Sequence, residues 1–334
     1  MMQPTVMQAT PMTPKQRAIT ALTLGIPDQV PTFELEFQLE KEMFGKPFIE
    51  DKLKPDQIHL LGPLELERAV DEAAAYAAHV YEQLDYCILP SYGPGMGKFR
   101  ETGNVPKELA LYFRFLKERV GSSRLLGFHG DGTFGIPDGN AMYGFAYAIA
   151  DDLDGVLAEA DALCRTAIER NKRLKEAGID VLFLCSDYCY NMGPFVSPDM
   201  FSMLVTPYLA RIVEAGRSDG LYMIKHTDGN IMPILDQLVA CRPHGLHSLD
   251  PMAGVDIRKV KEMVGDQVCL CGNVHCAALQ TGTDDEVRAS ARYCLTYGKA
   301  GGGYIFCTSN VPFKGMDPAR YRMILDIWKE MRAY

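Results

Sequence analysis

The stretch LYMIKHTDGN, residues 221–230, followed by apolar residues at helical spacing from Ile231 to Ala240, decides how the chain reads. A short apolar run that exits through His226, Thr227, Asp228 and Gly229 into a helical pattern is one strand–turn–helix unit. The unit recurs along the chain. Apolar or β-branched runs at 30–37, 84–89, 124–129, 179–185, 221–226, 245–249, 267–272 and 302–307 alternate with amphipathic stretches such as 151–177, 197–215, 231–240, 257–264 and 284–299. Eight parallel strands with helices between them predict an α/β chain folded as a (β/α)8 TIM barrel, whose chemistry gathers at the carboxyl ends of the strands.

Local signals mark the boundaries. Ser197 stands before Pro198 and Asp199, an N-cap followed by a first-turn proline and acid, so a helix starts there. Gly178 follows Lys175, Glu176 and Ala177 and supplies the left-handed residue that ends a helix. No linker or internal repeat divides the chain, which reads as one barrel domain over 14–334 behind a flexible arm at 1–13. The arm lacks the basic start and apolar core of a secretion signal.

Composition narrows the function classes. With 34 Lys and Arg against 43 Asp and Glu, the formal charge of −9 gives no reason to expect nucleic acid or anionic lipid as a partner. Apolar runs such as 181–185 and 221–224 fall far short of the ~20 residues a membrane helix needs. Ten cysteines without small-scaffold spacing fit reduced thiols and a cytoplasmic location.

The strand exits carry an unusual set of side chains: Glu34 and Glu36, His129 and Asp131, Cys185, Asp187, Tyr188 and Cys189, His226 and Asp228, His247 and Asp250, Asn273, His275 and Cys276, and Cys307, Ser309 and Asn310. In a barrel these converge on one mouth. A strand-end Asp or Asn also caps the next helix, and for Asp228 both roles stay open, with Gly229 easing the turn toward Ile231. An imidazole beside a carboxylate makes His226 and Asp228 catalytic candidates, with Glu36 and Asp187 as further acids. His226 with Cys276 and Cys307 would suit a zinc site with an open position, with an acid such as Glu36 or Asp228 as a replacement for one thiol, although buried cysteines also serve as small core residues. Cys269 and Cys271 alternate within a strand and read as packing.

Assembled, these residues resemble the uroporphyrinogen decarboxylase superfamily from the opening helix at 14–25 to the final helix ending near Met331. The matching segments are DYCYNMGPFVSP (187–198), KHTDGN (225–230), 254–265, LCGNVHCAAL (270–279) and GGGYIFCTSN (301–310). Tetrapyrrole decarboxylases of that superfamily carry an arginine-rich N-terminal motif. This chain has FELEF at 33–37, and two acids there would repel a polycarboxylate. The resemblance therefore points to the corrinoid-dependent methyltransferase branch. Its coenzyme M enzymes hold zinc with His-x-Cys and a later Cys, whereas here the motif is His226-Thr227-Asp228, similar to the first methyltransferase component of bacterial aryl methyl ether O-demethylases. That implies transfer of a methyl group from a small methylated compound, a methoxylated aromatic, to Co(I) of a partner corrinoid protein. Phe37, Tyr92, Phe134, Tyr143, Tyr188, Tyr190 and Phe195 lie in or beside the upper loops as material for an aromatic slot, with Asn273, His275 and Asn310 as polar anchors. Two alternatives remain in view: a decarboxylase of a smaller carboxylic acid, and a non-catalytic binding barrel.

Overall fold

The structure, a computed structural model, describes residues 11–334. Of the expected arm, residues 1–10 lie outside the described residues, and Thr13 is the N-cap of the first helix, accepting from Gln16 N.

Seven parallel strands form one curled sheet in the order β1 to β7: Ile88–Pro90, Leu125–His129, Val181–Leu184, Tyr222–Thr227, Gly245–Ser248, Cys269–Val274 and Tyr304–Thr308. Each is almost wholly buried because helices cover its outer face and the sheet closes over its inner one. These seven lie within a few residues of the expected runs.

The expected first strand, 30–37, is not a regular strand. It is an extended segment in which Thr32 alone bridges both sheet edges, to Tyr86 beside β1 and to Phe306 in β7. Cys87 N–H donates to Thr32 O and Phe306 N–H to Pro31 O. Pro31 has no N–H to give, so a ladder cannot continue through it. The result is a barrel-like, seven-stranded sheet with this segment lying in the seam. Trp328 Nε1 of the final helix, Pro318–Met331, donates to Val30 O at 2.9 Å and fixes the segment from outside.

The concave face holds one apolar layer in which Phe33, Phe183, Ile224, Cys271 and Cys307 pack together. Phe33 stacks on Phe183 with ring centroids 5.6 Å apart, so the closing segment reaches across to β3. A larger cluster fills the space between the convex face and the helices. Side chains alternate along a strand. Two residues beyond Phe183 and Ile224 the same face therefore presents Cys185 and His226, and this places polar groups above the apolar layer, at the mouth.

Helix boundaries follow their signals. Ser197 accepts from Met200 N, and Gly178 has φ +102°. The expected helix at 197–215 is two helices, Pro198–Leu204 and Thr206–Ser218, broken at Val205. Pro207, early in the second, removes the N–H that would have bonded back across the break. No helix of the described residues is long and apolar enough to cross a membrane.

Candidate active site

At the mouth His129, Cys185, His226 and His247 leave β2, β3, β4 and β5 side by side. His129 Nδ1 lies 3.2 Å from Cys185 Sγ, and His226 Nδ1 lies 2.8 Å from His247 Nδ1. His226 and His247 are register partners, which is why they meet. Both rings are buried and neutral. Burial first, then Lys225 and His129 as neighbours, pushes His226 down to about 3, and burial with His226 as neighbour drives His247 well below the ordinary imidazole value. One imidazole must donate to the other. If His226 donates Nδ1–H, its Nε2 lone pair faces the rim acids.

Those acids are Asp187, on the β3 exit, and Asp228, on the β4 exit, at 3.7 Å and 3.9 Å from His226 Nε2. Asp187 Oδ1 accepts from Asp228 N–H at 3.1 Å, which holds the two exits together. Asn310 Nδ2 donates to Asp228 Oδ2 at 2.5 Å. Burial, and after it the charges of Asp187 and Asp250, lifts the Asp228 carboxyl to about 6. The cap of the following turn belongs to Asn230, which accepts from Met232 N, so Asp228 is released from that duty. Gly229, at φ +81°, lets the chain turn where a Cβ would meet Cys189 O at 2.2 Å.

Ligand atoms of Asp187, His226 and Asp228 lie within 4.8 Å of one another, and this is the metal-competent group among the described residues. The two acids stand close together, and the imidazole can turn a lone pair to them while donating from its other nitrogen. A divalent ion that accepts nitrogen and oxygen donors, zinc included, fits that set.

The expected zinc ligands Cys276 and Cys307 are not part of it. Cys307 is fully buried in the apolar layer, its Sγ toward Ile305 O, and burial pushes its thiol far up. Cys276 begins the helix Cys276–Thr281, its thiol pushed up by burial to about 11. It lines, with Asp228, Asp250, Ser309 and Asn310, a cavity of about 280 Å³ beside the donor group. Strand-end position alone does not tell depth: depth separates Cys307 from the mouth, whereas Cys276 lies beside the donor group without being one of its members.

Other expected site residues scatter. Glu36 is half-buried, accepts from Gln38 Nε2 and stands outside the donor group. Glu34 is buried in the seam, accepts from Thr308 N–H and Oγ1–H, and is lifted by burial to about 8. Phe37 packs among Phe44, Phe48, Tyr86 and Tyr321 and offers no open face. Tyr188 is fully buried beneath Lys225 Nζ, 3.9 Å from its ring. Tyr92 stacks on His129 at 4.8 Å, and Tyr190 is exposed on a short hairpin. Asn273 does not open to the cavity that Asp228 lines. Its Nδ2 donates to Leu249 O at 2.6 Å and its Oδ1 accepts from Cys294, and with His275, the N-cap of the next helix, it lines a separate cavity.

Two residues gain roles that the sequence reading did not give them. His247 orients His226. Lys225, fully buried, pairs with Asp131 at 2.8 Å and donates to Ser186 O, and so ties the β2 and β3 exits to β4. Burial would raise Asp131, but the charge and hydrogen bond of Lys225, with Ser186 N–H and Thr133, outweigh it and hold the carboxyl at about 2. The signal was available: a lysine inside an apolar strand needs a buried partner.

Known proteins share the fold and part of the sequence. The structure of a methyltransferase from Methanosarcina mazei superposes with a TM-score of 0.66 at 20% identity, covering 96% of this chain and 98% of that one, a likeness of fold. Uroporphyrinogen decarboxylases of Chlorobium phaeovibrioides and Chlorobium luteolum are each 27% identical, over 164 and 166 residues, 47% of this chain. The match covers 44% of those relatives' own length, less than half of each. Residues 148–331, more than half of the 334-residue chain, match the family described as Uroporphyrinogen decarboxylase (URO-D). That span contains Asp187, His226 and Asp228, and on it the chain belongs to the uroporphyrinogen decarboxylase (URO-D) family.

Proposed function

We propose that this protein is a methyltransferase that moves the methyl group of a small methoxylated aromatic to Co(I) of a partner corrinoid protein. One observation carries the reading: the donor group at the mouth is two carboxylates and an imidazole, Asp187, His226 and Asp228, with no thiolate among them. Thiolate-rich zinc sites suit activation of a thiol, whereas nitrogen and oxygen donors suit work on an oxygen. The fold shared with the Methanosarcina mazei methyltransferase supports the same branch.

The chemistry fits the groups. The Co(I) electron pair forms the new bond to the methyl carbon while the carbon–oxygen pair leaves with the ring oxygen. A basic phenoxide must be met by a proton or a cation. Asp228, lifted to about 6, carries a proton in part of the molecules near neutral pH and can pass it to that oxygen. Zinc held by Asp187, His226 and Asp228 would polarise the ether oxygen as a Lewis acid. Asn310 holds the Asp228 carboxyl in place and His247 holds the His226 ring. The apolar layer beneath closes the concave face, so substrate and corrinoid both approach from the mouth.

The test mixes purified protein with cob(I)alamin and a panel of methoxyarenes, methylamines and methanol, and follows the Co(I) absorbance. Loss of Co(I) with release of a phenol is expected from a methoxyarene. His226→Ala should slow it by ~100-fold or more with an unchanged circular dichroism spectrum. Carbon dioxide released from a carboxylic acid, with no methyl transfer from any methoxyarene, would replace this reading by the decarboxylase.

A further inference from the structure

On the β2 and β3 side of the mouth a second cavity, about 370 Å³, is lined from the helix Met96–Thr102 and the helix Leu153–Glu176. Met96 and Phe99 supply an apolar wall, His129 and Cys185 line it from the strand exits, and Arg100 and Arg170 supply charge. The acid at this wall, Asp131, is spent. Its Oδ2 takes the Lys225 ammonium and Ser186 N–H, and its Oδ1 takes Thr133 and Gly132. Two guanidiniums therefore share a cavity whose one carboxylate is already neutralised.

Arg170 is the more telling of the two. It donates from Nη2 to Asp131 O, and its Nε is buried with no hydrogen-bond partner. A buried donor on a cation is costly when left unpaired, so a site that keeps one is shaped for an acceptor. Arg100 is exposed and lines the same opening. His129 registers the same field: burial first, then Arg100 and Arg170, holds it neutral, at about 4. Its ring is stacked on Tyr92, which gives the cavity a flat aromatic flank.

We propose that this cavity is a carboxylate subsite, taking the anionic end of a flat aromatic acid with Arg170 and Arg100 on its oxygens and the ring against Met96, Phe99 and the stacked pair. Guanidinium groups match a carboxylate in both geometry and charge. β2 and β4 are separated by β3, so His129 and His226 stand about two strand spacings apart, roughly 10 Å. That span suits one aromatic ring with a carboxylate at one end and an ether at the other. The substrate is then a methoxylated aromatic acid. The methyl ether part rests on the proposed function, and the binding of the carboxylate does not.

Calorimetric titration with benzoate, 4-methoxybenzoate and their neutral amides tests it. The acids are expected to bind and the amides to bind about tenfold or more weakly, the loss of a charge-assisted pair. Arg170→Gln and Arg100→Gln should each weaken the acids by about that factor and leave the amides unchanged. Arg100 is exposed, so its replacement keeps the test valid if Arg170→Gln fails to fold. Equal affinity for acid and amide, or acid binding untouched by both substitutions, overturns the proposal. Benzoate has no methyl ether, so its arginine-dependent binding stands even where methyl transfer fails. Methyl transfer from 4-methoxybenzoate that is unaffected by either substitution removes the subsite and leaves the proposed function.

Discussion

Glu34 and Asp228 are both carboxyls that burial lifts, to about 8 and about 6, yet they belong to regions with opposite tasks. Glu34 sits in the seam, where Thr308 and Tyr321 supply hydrogen bonds and no charge stands among its partners. Asp228 sits at the mouth, where part of its rise comes from Asp187 and Asp250 and where it lines a cavity. The seam proton is kept by dryness alone, and the mouth proton is kept partly by crowded acids that a ligand could relieve. A displaced pKa therefore marks a site only when like charges and open volume accompany it. The cysteines divide the same way: Cys307 is sealed in the layer beneath, and Cys185 touches His129 at the mouth.

Zinc uptake should separate the regions most sharply. After equilibrium dialysis, elemental analysis is expected to find about one equivalent in the wild type and in Cys276→Ser/Cys307→Ser, and less than about a tenth in Asp187→Asn/Asp228→Asn. Uptake that follows the cysteines would contradict the assignment of the donor group to Asp187, His226 and Asp228.

The next effect concerns what holds the mouth up. Lys225→Met leaves the Asp131 charge buried and alone, and should cost about 3–5 kcal/mol in denaturant unfolding. Adding Asp131→Asn should restore most of that loss. A single variant with unchanged midpoint would show that the pair does not tie the exits together.

The seam gives a smaller, pH-dependent effect. Glu34 has a folded pKa of about 8 against an ordinary value of 4.5, so the folded chain keeps a proton that the unfolded chain releases. Its contribution is fully present below 4.5 and is lost as pH rises toward 8. Unfolding curves across that window should show the wild type weakening relative to Glu34→Gln by up to a few kcal/mol, on the order expected for such a shift. Methyl transfer should be unaltered. A variant parallel to the wild type at every pH would place Glu34 in contact with water.

How far the sequence reached depended on whether a feature was periodic or spatial. Seven strands, the Ser197 cap and the Gly178 turn were legible because alternation and capping are local. The seam was not, since a run of apolar residues looks like a strand even where Pro31 and a single bridging residue, Thr32, replace the ladder. His226, Asp228, Asp187 and Asn310 were legible as strand exits, and they do come together. His247 stands among the strand exits with no role of its own in the sequence, because only the register shows that it faces His226. Cys307 and Phe37 were assigned to the mouth although both are buried, and only the packed structure reveals that depth.

The most direct measurement is single-turnover methyl transfer from a methoxyarene to Co(I), run side by side with Asp228→Asn and Cys307→Ser. Asp228→Asn should fall by ~100-fold or more, and Cys307→Ser should stay within about threefold of the wild type. Loss of activity in Cys307→Ser with Asp228→Asn intact would contradict the assignment of the chemistry to the mouth.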